Sequence, residues 1–214
     1  MKSIKELEMS NECSNRIEII GDKDVISRMF ELVKSDARDW GVEPDPNKSE
    51  EENRVLLGLE FDFDKVVPYP EEFEKLDAEF ERQEESGVPY DELPESGYEK
   101  GGRMWCINNW GTIDDPMNAV TTFTDRKSIH KVDNFNPSDF ESPSFAIIYY
   151  TTSDSPAFPV TAALSKQYPE LTFKHAYEEP NLLGKGYQVW KAGNLLEEHE
   201  DDIEDYEQED DYEE

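Results

Sequence analysis

One apolar run, SFAIIYYTT from Ser144 to Thr152, constrains the fold of this chain more than any other feature. It is rich in β-branched and aromatic residues and has almost no polar interruption. Such a composition is typical of a central strand that is covered on both faces of its sheet. The chain is therefore expected to fold around a sheet with other layers packed against it.

Two amphipathic helices are predicted. In SPAFPVTAALSKQYP, Ser155 is the expected N-cap and Pro156 the expected first helical residue. Apolar side chains of this segment recur at i, i+4 and i+8, in Val160, Leu164 and Tyr168. An earlier helix is predicted from Asp22, its expected N-cap, because one stripe of the residues that follow is apolar. That stripe comprises Val25, Ile26, Met29, Phe30 and Val33.

Alternating apolar residues predict four more strands, over 13–21, 55–67, 171–177 and 186–191. A turn at 181–184 separates the last two. A short and very acidic helix is predicted after Pro70, with Phe73, Leu76 and Phe80 on one face. The order β, α, β, insertion, β, α, β, β is an α+β pattern. It fits a split βαβ sandwich, an antiparallel sheet with two main helices on one face.

We predict one domain over 1–196, with an insertion at about 68–142 that carries the acidic helix, and a tail over 197–214. The tail holds 13 Asp and Glu residues and no Lys or Arg. We expect it to be disordered in isolation, because its charges repel and it can bury little apolar surface. It fits either a solvating tail or a mimic of nucleic acid. An extended tail would place a negative charge every ~4.6 Å, near the ~3.4 Å phosphate spacing of a single strand.

The acidity is not confined to the tail. The chain has 52 Asp and Glu against 21 Lys and Arg, and 39 of those acids lie in residues 1–196. A protein that grips phosphates needs a basic face, so direct binding of nucleic acid is disfavoured. The apolar runs are far shorter than the roughly 20 residues of a membrane span, and the first residues do not form a signal sequence. We therefore expect a cytoplasmic protein without a membrane partner.

No set of residues in the sequence indicates catalysis, a metal site or a cofactor. Cys13 and Cys106 are far apart. The histidines, His130, His175 and His199, have no spacing that suits zinc or a catalytic triad. We predict that the protein is not an enzyme and binds neither a cofactor nor a metal. The aromatic segment WCINNWGT, which contains Trp110, fits either core packing or a partner interface.

Four segments, in the same order over about residues 9–194, resemble the YubB-like family of phage and plasmid proteins. They are NECSNRIEIIGD, FDFDKVVPYPEEF, WCINNWGT, and YYTTSDSPAF with the ALSKQYPELTFKHAYEEP that follows it. The resemblance implies a ferredoxin-like domain of unknown function. Where that family usually has tryptophan, this sequence has Glu12, Asp114 and Asp154. We expect these three acids to cluster, so that an aromatic surface of the relatives becomes an anionic one here.

The main functional hypothesis is a phage or mobile-element protein that binds a basic host protein as an acidic mimic of nucleic acid. Its partner would be a defence enzyme or a nucleic-acid-processing enzyme of the host. The alternative is a protein–protein binding module that docks through the Trp110 region and has a merely solubilising tail. The candidate partner-binding residues are Glu12, Asp114, Asp154, Trp110, Asp201, Asp202, Asp205, Tyr206, Asp210, Asp211 and Tyr212.

Overall fold

The structure, a computed structural model, describes residues 12–35, 46–49, 60–124, 144–179 and 184–202. These ranges contain six strands and four α-helices. The strands are β1 (Glu12–Gly21), β2 (Met117–Thr124), β3 (Ser144–Ser153), β4 (Thr172–Glu179), β5 (Gly184–Lys191) and β6 (Asn194–Asp202). The helices are α1 (Lys23–Val33), α2 (Glu71–Glu85), α3 (Arg103–Asn109) and α4 (Phe158–Gln167). A 3₁₀ turn at Tyr90–Glu92 and a π turn at Tyr98–Gly102 lie between α2 and α3.

The six strands form one sheet in the order β2-β3-β1-β4-β5-β6. Every neighbouring pair in it is antiparallel. β1 lies between β3 and β4, and Ile17 is the partner of Ile148 on one side and of His175 on the other. The prediction of a mixed α and β fold built on an antiparallel sheet is confirmed.

The helices α1 and α4 pack into the same core cluster. The predicted stripe of α1, from Val25 to Val33, is buried, and so are Val160 and Leu164 of α4. All of these side chains share one cluster with Ile17 and Ile148 of the sheet. The Asp22 cap is also confirmed, since its Oδ1 accepts hydrogen bonds from the amides of Asp24 and Val25.

The apolar strand β3 is buried on both faces of the sheet over residues 145–148, as predicted, whereas Tyr149 is 45% exposed. Its Ile148 belongs to the main cluster, whereas Phe145 joins a second cluster with Ile20 and Val189. Ile147 is also only 2% exposed. Burial on both faces over these residues explains why their sequence is continuously apolar instead of alternating.

The strand predicted over 55–67 is wrong where the structure describes it, because residues 60–67 form turns. Phe61 and Phe63 are buried as the alternation suggested. The acids between and after them hydrogen bond to backbone amides instead of facing solvent from a strand. Asp62 Oδ1, for example, accepts from the amide of Asp64 at 2.8 Å. Aspartate side chains that bond to nearby backbone compete with a strand ladder, and here they replace it.

The start of α4 also differs from its prediction. The helix begins at Phe158 with Ala157 at the N-cap position. Ser155 instead donates its hydroxyl hydrogen bond to the carbonyl of Gly111, at 2.8 Å, and so ties the β3–α4 turn to the segment after α3. The serine is satisfied by a partner 44 residues away, which local sequence cannot reveal.

Two predicted boundaries are corrected by strands. β2 lies inside the range expected to be an insertion, 68–142, yet it is part of the sheet. Glu197–Asp202, expected to be disordered, form most of β6. The edge of β5 supplies backbone partners for these acids, and Tyr187 and Gln188 donate side-chain hydrogen bonds to Glu197 and Glu198. Residues 203–214 of the predicted tail lie outside the described residues.

The β5–β6 hairpin yields a first prediction. Its two-residue turn has φ values of 50° at Ala192 and 77° at Gly193, the left-handed geometry of a type I′ turn. Alanine is strained there, whereas asparagine tolerates the left-handed region. We expect Ala192→Asn to raise the free energy of unfolding by about 0.5–1 kcal/mol in urea titrations. Ala192→Val should lower it, and a lower value for the asparagine variant would contradict the turn geometry.

Candidate functional site

The antiparallel pairing of β1 brings three of the predicted site residues together. Glu12, the first residue of β1, is the strand partner of Ser153, the last residue of β3. Asp154 follows Ser153 with a φ of 70°. Ser153 donates its hydroxyl hydrogen bond to Asp114 Oδ2 at 2.8 Å. Glu12, Asp114 and Asp154 therefore converge around Ser153, as the sequence predicted.

β4 and β6 both end at this same end of the sheet, and both strands add acids there. The pKa of Glu179 is raised by burial, and further by the charges of Glu200 and Asp154. Glu179 is the last residue of β4, and Glu200 is paired with Gly186. We call Glu12, Asp114, Asp154, Glu179 and Glu200 the sheet-end cluster.

A dense set of hydrogen bonds holds this end of the sheet in place. Thr112 donates to the carbonyl of Ser153 at 2.6 Å, and Thr152 donates to the carbonyl of Ser155 at 2.7 Å. Gly111 has a φ of 86°, and an added Cβ there would lie 2.9 Å from the carbonyl oxygen of Pro156. Only glycine fits this crossing, so the acids are presented from a closely packed backbone.

A buried polar network lies directly beneath the sheet-end cluster. His175 is fully buried, with Nδ1 2.8 Å from the hydroxyl of Thr161 and Nε2 2.9 Å from Asn15 Oδ1. Asn15 in turn donates to Thr152 Oγ1 at 2.8 Å. Burial lowers the pKa of His175 to about 3, so the ring is neutral at physiological pH. Its role is to join β1, β4 and α4 in the core.

The two cysteines are buried thiols. Burial raises the pKa of Cys13 to about 12, and the charge of Glu179 adds to the effect. Burial raises the pKa of Cys106 to about 12 as well, with further contributions from Asp115 and Asp114. A thiol reacts as its thiolate, so both side chains are unreactive at neutral pH.

An acidic cleft of about 660 Å³ opens beside the sheet-end cluster, and Asp114 belongs to both. One wall is α2, which presents Glu74, Asp77 and Glu81 at i, i+3 and i+7. A helix places residues with this spacing on one face. The opposite wall carries the acids of the turns at 60–67 and of the segment after α3, namely Asp62, Asp64, Asp114 and Asp115.

Aromatic rings form the rest of the cleft. Tyr69, Tyr98 and Trp110 line it, and the ring centroids of Tyr69 and Trp110 are 5.9 Å apart. Trp110 is only 5% exposed, and its Nε1 donates to the carbonyl of Val67 at 2.8 Å. The alternatives for Trp110, core or interface, are thus resolved mainly in favour of the core, with one part of the ring facing the cleft.

The electrostatics of the cleft are unbalanced. The pKa of Asp115 is raised to about 7, first by burial and then by the charges of Asp62, Asp64 and Asp114. Its Oδ1 accepts a hydrogen bond from the amide of Phe63 at 3.0 Å, which only partly offsets these effects. Lys65 supplies the one ammonium group among the residues that line the cleft. Added positive charge would therefore be favoured there.

In the described ranges, no group of three or more His, Cys, Asp or Glu residues has an arrangement that could hold a metal ion. Nor does any α-helix in the same ranges have the length and apolar character that a membrane span needs.

The remaining predicted site residues divide into two groups. Asp201 and Asp202 end β6, and Asp201 lies 2.8 Å from His199 and 3.8 Å from Lys185. Asp205, Tyr206, Asp210, Asp211 and Tyr212 lie outside the described residues.

The cleft itself was not predicted, because acids are so frequent in this sequence that no subset of them stands out. The spacing of Glu74, Asp77 and Glu81 on α2 was the signal that could have revealed it.

Comparison with known proteins gives one family model for the C-terminal part of the chain and one similar solved structure. The family model described as a ferredoxin-like domain in Api92-like protein matches residues 133–214. A crystal structure of protein api92 from Yersinia pseudotuberculosis, of the family DUF1281, is 11% identical, with a TM-score of 0.47. The similarity covers 92% of this chain and all of that one. No curated protein matches the sequence. The resemblance to the YubB-like family, and with it a phage or plasmid origin, stays a prediction.

The raised pKa of Asp115 gives a second prediction. Because its pKa is about 7 in the folded protein and ordinarily near 3.8, stability is lost as the pH rises through 7. Asparagine keeps an oxygen for the Phe63 amide and removes the charge. We expect Asp115→Asn to raise the free energy of unfolding by about 1–4 kcal/mol at about pH 8.5, and by much less below about pH 4. Glu74→Gln, which removes an exposed carboxylate of the same cleft, should change it little at either pH; an equal effect of both variants would contradict the prediction.

The buried neutral His175 gives a third. Its pKa is about 3 when folded against an ordinary 6.5, so the unfolded chain alone binds this proton between those values. Stability should therefore fall as the pH drops from 6.5 towards 3. In His175→Gln this contribution is absent, so the free energy of unfolding, measured in urea titrations, should fall less steeply between about pH 6 and 4.5. The difference between the two slopes should correspond to about one proton taken up on unfolding. Parallel pH profiles for the two proteins would show that His175 is not held neutral.

Proposed function

We propose that this protein is a non-enzymatic binder of a basic protein partner. The observation that carries the proposal is the convergence of Glu12, Asp114 and Asp154 around Ser153. Glu179 and Glu200 extend the same surface. Carboxylates gathered on one rigid end of a sheet create a strong negative potential. Such a potential speeds the encounter with a basic surface and excludes acidic partners.

The partner we infer is a nucleic-acid-processing or defence enzyme of the host cell, and this protein is its decoy. A basic groove that binds phosphates would also accept a dense array of carboxylates. The acidic residues beyond β6 could extend the array along the groove. We further propose a cytoplasmic protein of a phage or other mobile element, an origin suggested by the resemblance of its four motifs to the YubB-like family.

A non-enzymatic role is supported by the state of the chemically reactive groups. Both thiols are protonated because of their raised pKa values, and His175 is a neutral core residue. The alternative of docking through the Trp110 region is disfavoured by the 5% exposure of that ring.

At the level of the fold, we infer that β1-α1-β2 and β3-α4-β4 are the two halves of a ferredoxin-like split βαβ sandwich. The order β2-β3-β1-β4 at one side of the sheet supports this inference, because β3 lies between β1 and β2, and β1 lies between β3 and β4. β5 and β6 then extend the sheet beyond β4.

The test compares two pairs of substitutions that remove the same charge. The sheet-end pair is Glu12→Gln with Asp154→Asn; asparagine suits the φ of 70° at position 154. The helix control pair is Glu84→Gln with Glu85→Gln, at the exposed end of α2. Immobilised wild-type protein, incubated with a host lysate at low salt, should capture a nucleic-acid-binding protein. Added duplex DNA should release the captured protein. We expect the sheet-end pair to weaken capture about fivefold or more, and the control pair less than twofold.

Three results would contradict the proposal. Capture that is insensitive to salt would exclude a mainly electrostatic interaction. Equal weakening by the two pairs would remove the role of the sheet-end cluster. A captured protein that duplex DNA or RNA does not displace would exclude mimicry of nucleic acid. Truncation after Asp202, which keeps β6 intact, then measures what residues 203–214 add to the capture of the partner.

A further inference from the structure

We infer that the acidic cleft between α2 and the turns at 60–67 binds an arginine side chain of the basic partner. The inference rests on the proposed function and names the group that the partner inserts. It depends on the shape of the cleft, its aromatic wall and the positions of its carboxylates.

The size of the cleft fits a side chain better than a bare ion. Its volume of about 660 Å³ lies in the range of pockets that hold small ligands. In the described parts of the chain, no three acids come close enough to hold a metal ion. An extended cation that reaches carboxylates on separate elements fits a cleft of this size and lining.

The carboxylates surround the cleft instead of lying on one side of it. Glu74 and Glu81 project from α2, and Asp114 and Asp115 come from the segment after α3. Asp77, between them on α2, already accepts a hydrogen bond from the amide of Tyr98 at 2.9 Å. A planar guanidinium carries five N–H donors in a fixed fork and can bond to acids on two walls at once. A lysine ammonium is a compact charge and would satisfy fewer of them.

The aromatic wall favours the same group. Tyr69 lines the cleft and is only partly buried, whereas Trp110, which is 5% exposed, packs against it with 5.9 Å between the ring centroids. Arginine stacks on such rings and is more weakly hydrated than lysine, so it loses less on leaving water. The combination of the Tyr69 ring and the carboxylates therefore distinguishes the two cations, whereas a charged surface alone would not.

Short peptides of three arginines or three lysines, which carry the same side-chain charge, are suitable probes. Binding can be followed by calorimetry and by the fluorescence of the tryptophans, since Trp110 lines the cleft and Trp105 packs 5.5 Å from it. We expect the arginine peptide to bind at least about fivefold tighter than the lysine peptide. The same comparison with Tyr69→Leu should lose this preference, and Tyr69→Phe, which keeps the ring, should retain it.

A matched pair of variants tests the carboxylates. The cleft pair, Glu74→Gln with Glu81→Gln, should weaken binding of the arginine peptide about tenfold. The helix control pair, on the same helix and with the same change in charge, should weaken it less than twofold. Both glutamates of the cleft pair are exposed, and melting curves of all variants will verify that the fold is intact.

The outcomes separate this inference from the proposed function. Equal weakening by the cleft pair and the control pair, or equal affinity for the two peptides, would overturn the arginine site. The proposed function would then still stand if the sheet-end pair weakened capture of the partner. Tight binding of the arginine peptide by the cleft, with capture unaffected by the sheet-end pair, would keep the site and overturn the sheet-end surface. Absence of any binding of the arginine peptide at low salt would overturn the inference directly.

Discussion

The central position of β1 is the constraint on which the rest of the structure depends. Because β1 pairs antiparallel with both β3 and β4, its first residue lies at the end of the sheet where those two strands finish. Turns that follow strands can carry polar groups that strand interiors cannot. The sheet therefore gathers acids from distant parts of the sequence, Glu12, Asp154 and Glu179, at one end, while its apolar side chains remain in the core.

Concentrating carboxylates in this way has an energetic cost that the backbone partly offsets. The acids around the turns at 60–67 accept hydrogen bonds from amides, as Asp64 Oδ1 does from the amide of Tyr69 at 2.6 Å. These bonds fix the turns in the absence of a strand ladder. Asp115 shows that the compensation is incomplete, since its pKa remains raised to about 7. The deficit of positive charge is a property of the free protein that a cationic partner would relieve.

The sequence predicts the parts of this fold that have regular local periodicity. The stripe of α1 and the paired strands β4 and β5 follow from patterns within a dozen residues, and their packing does not alter them. The turns at 60–67 could not be predicted, because Phe61 and Phe63 alternate with acids as a strand would. Besides the local bonds of Asp62 and Asp64, the amide of Phe63 donates to Asp115, which lies 52 residues away, and so is not available to a strand ladder. Clustering of Glu12, Asp114 and Asp154 was anticipated from the motifs, whereas the cleft arises only when α2 packs opposite those turns.

Rigidity distinguishes acids on strands and fixed turns from the acids of a flexible polyanion with the same charge. A disordered polyanion loses conformational entropy when it settles into a groove, and that loss reduces its affinity. The acids of the sheet-end cluster are already ordered, on strands and on turns fixed by Thr112, Thr152 and Ser155. β6 extends this order into Glu197–Asp202, which composition alone assigns to the tail. A chain with a net charge of −31 attracts basic surfaces in general; the fixed spacing of carboxylates on a hydrogen-bonded scaffold is what can select one of them.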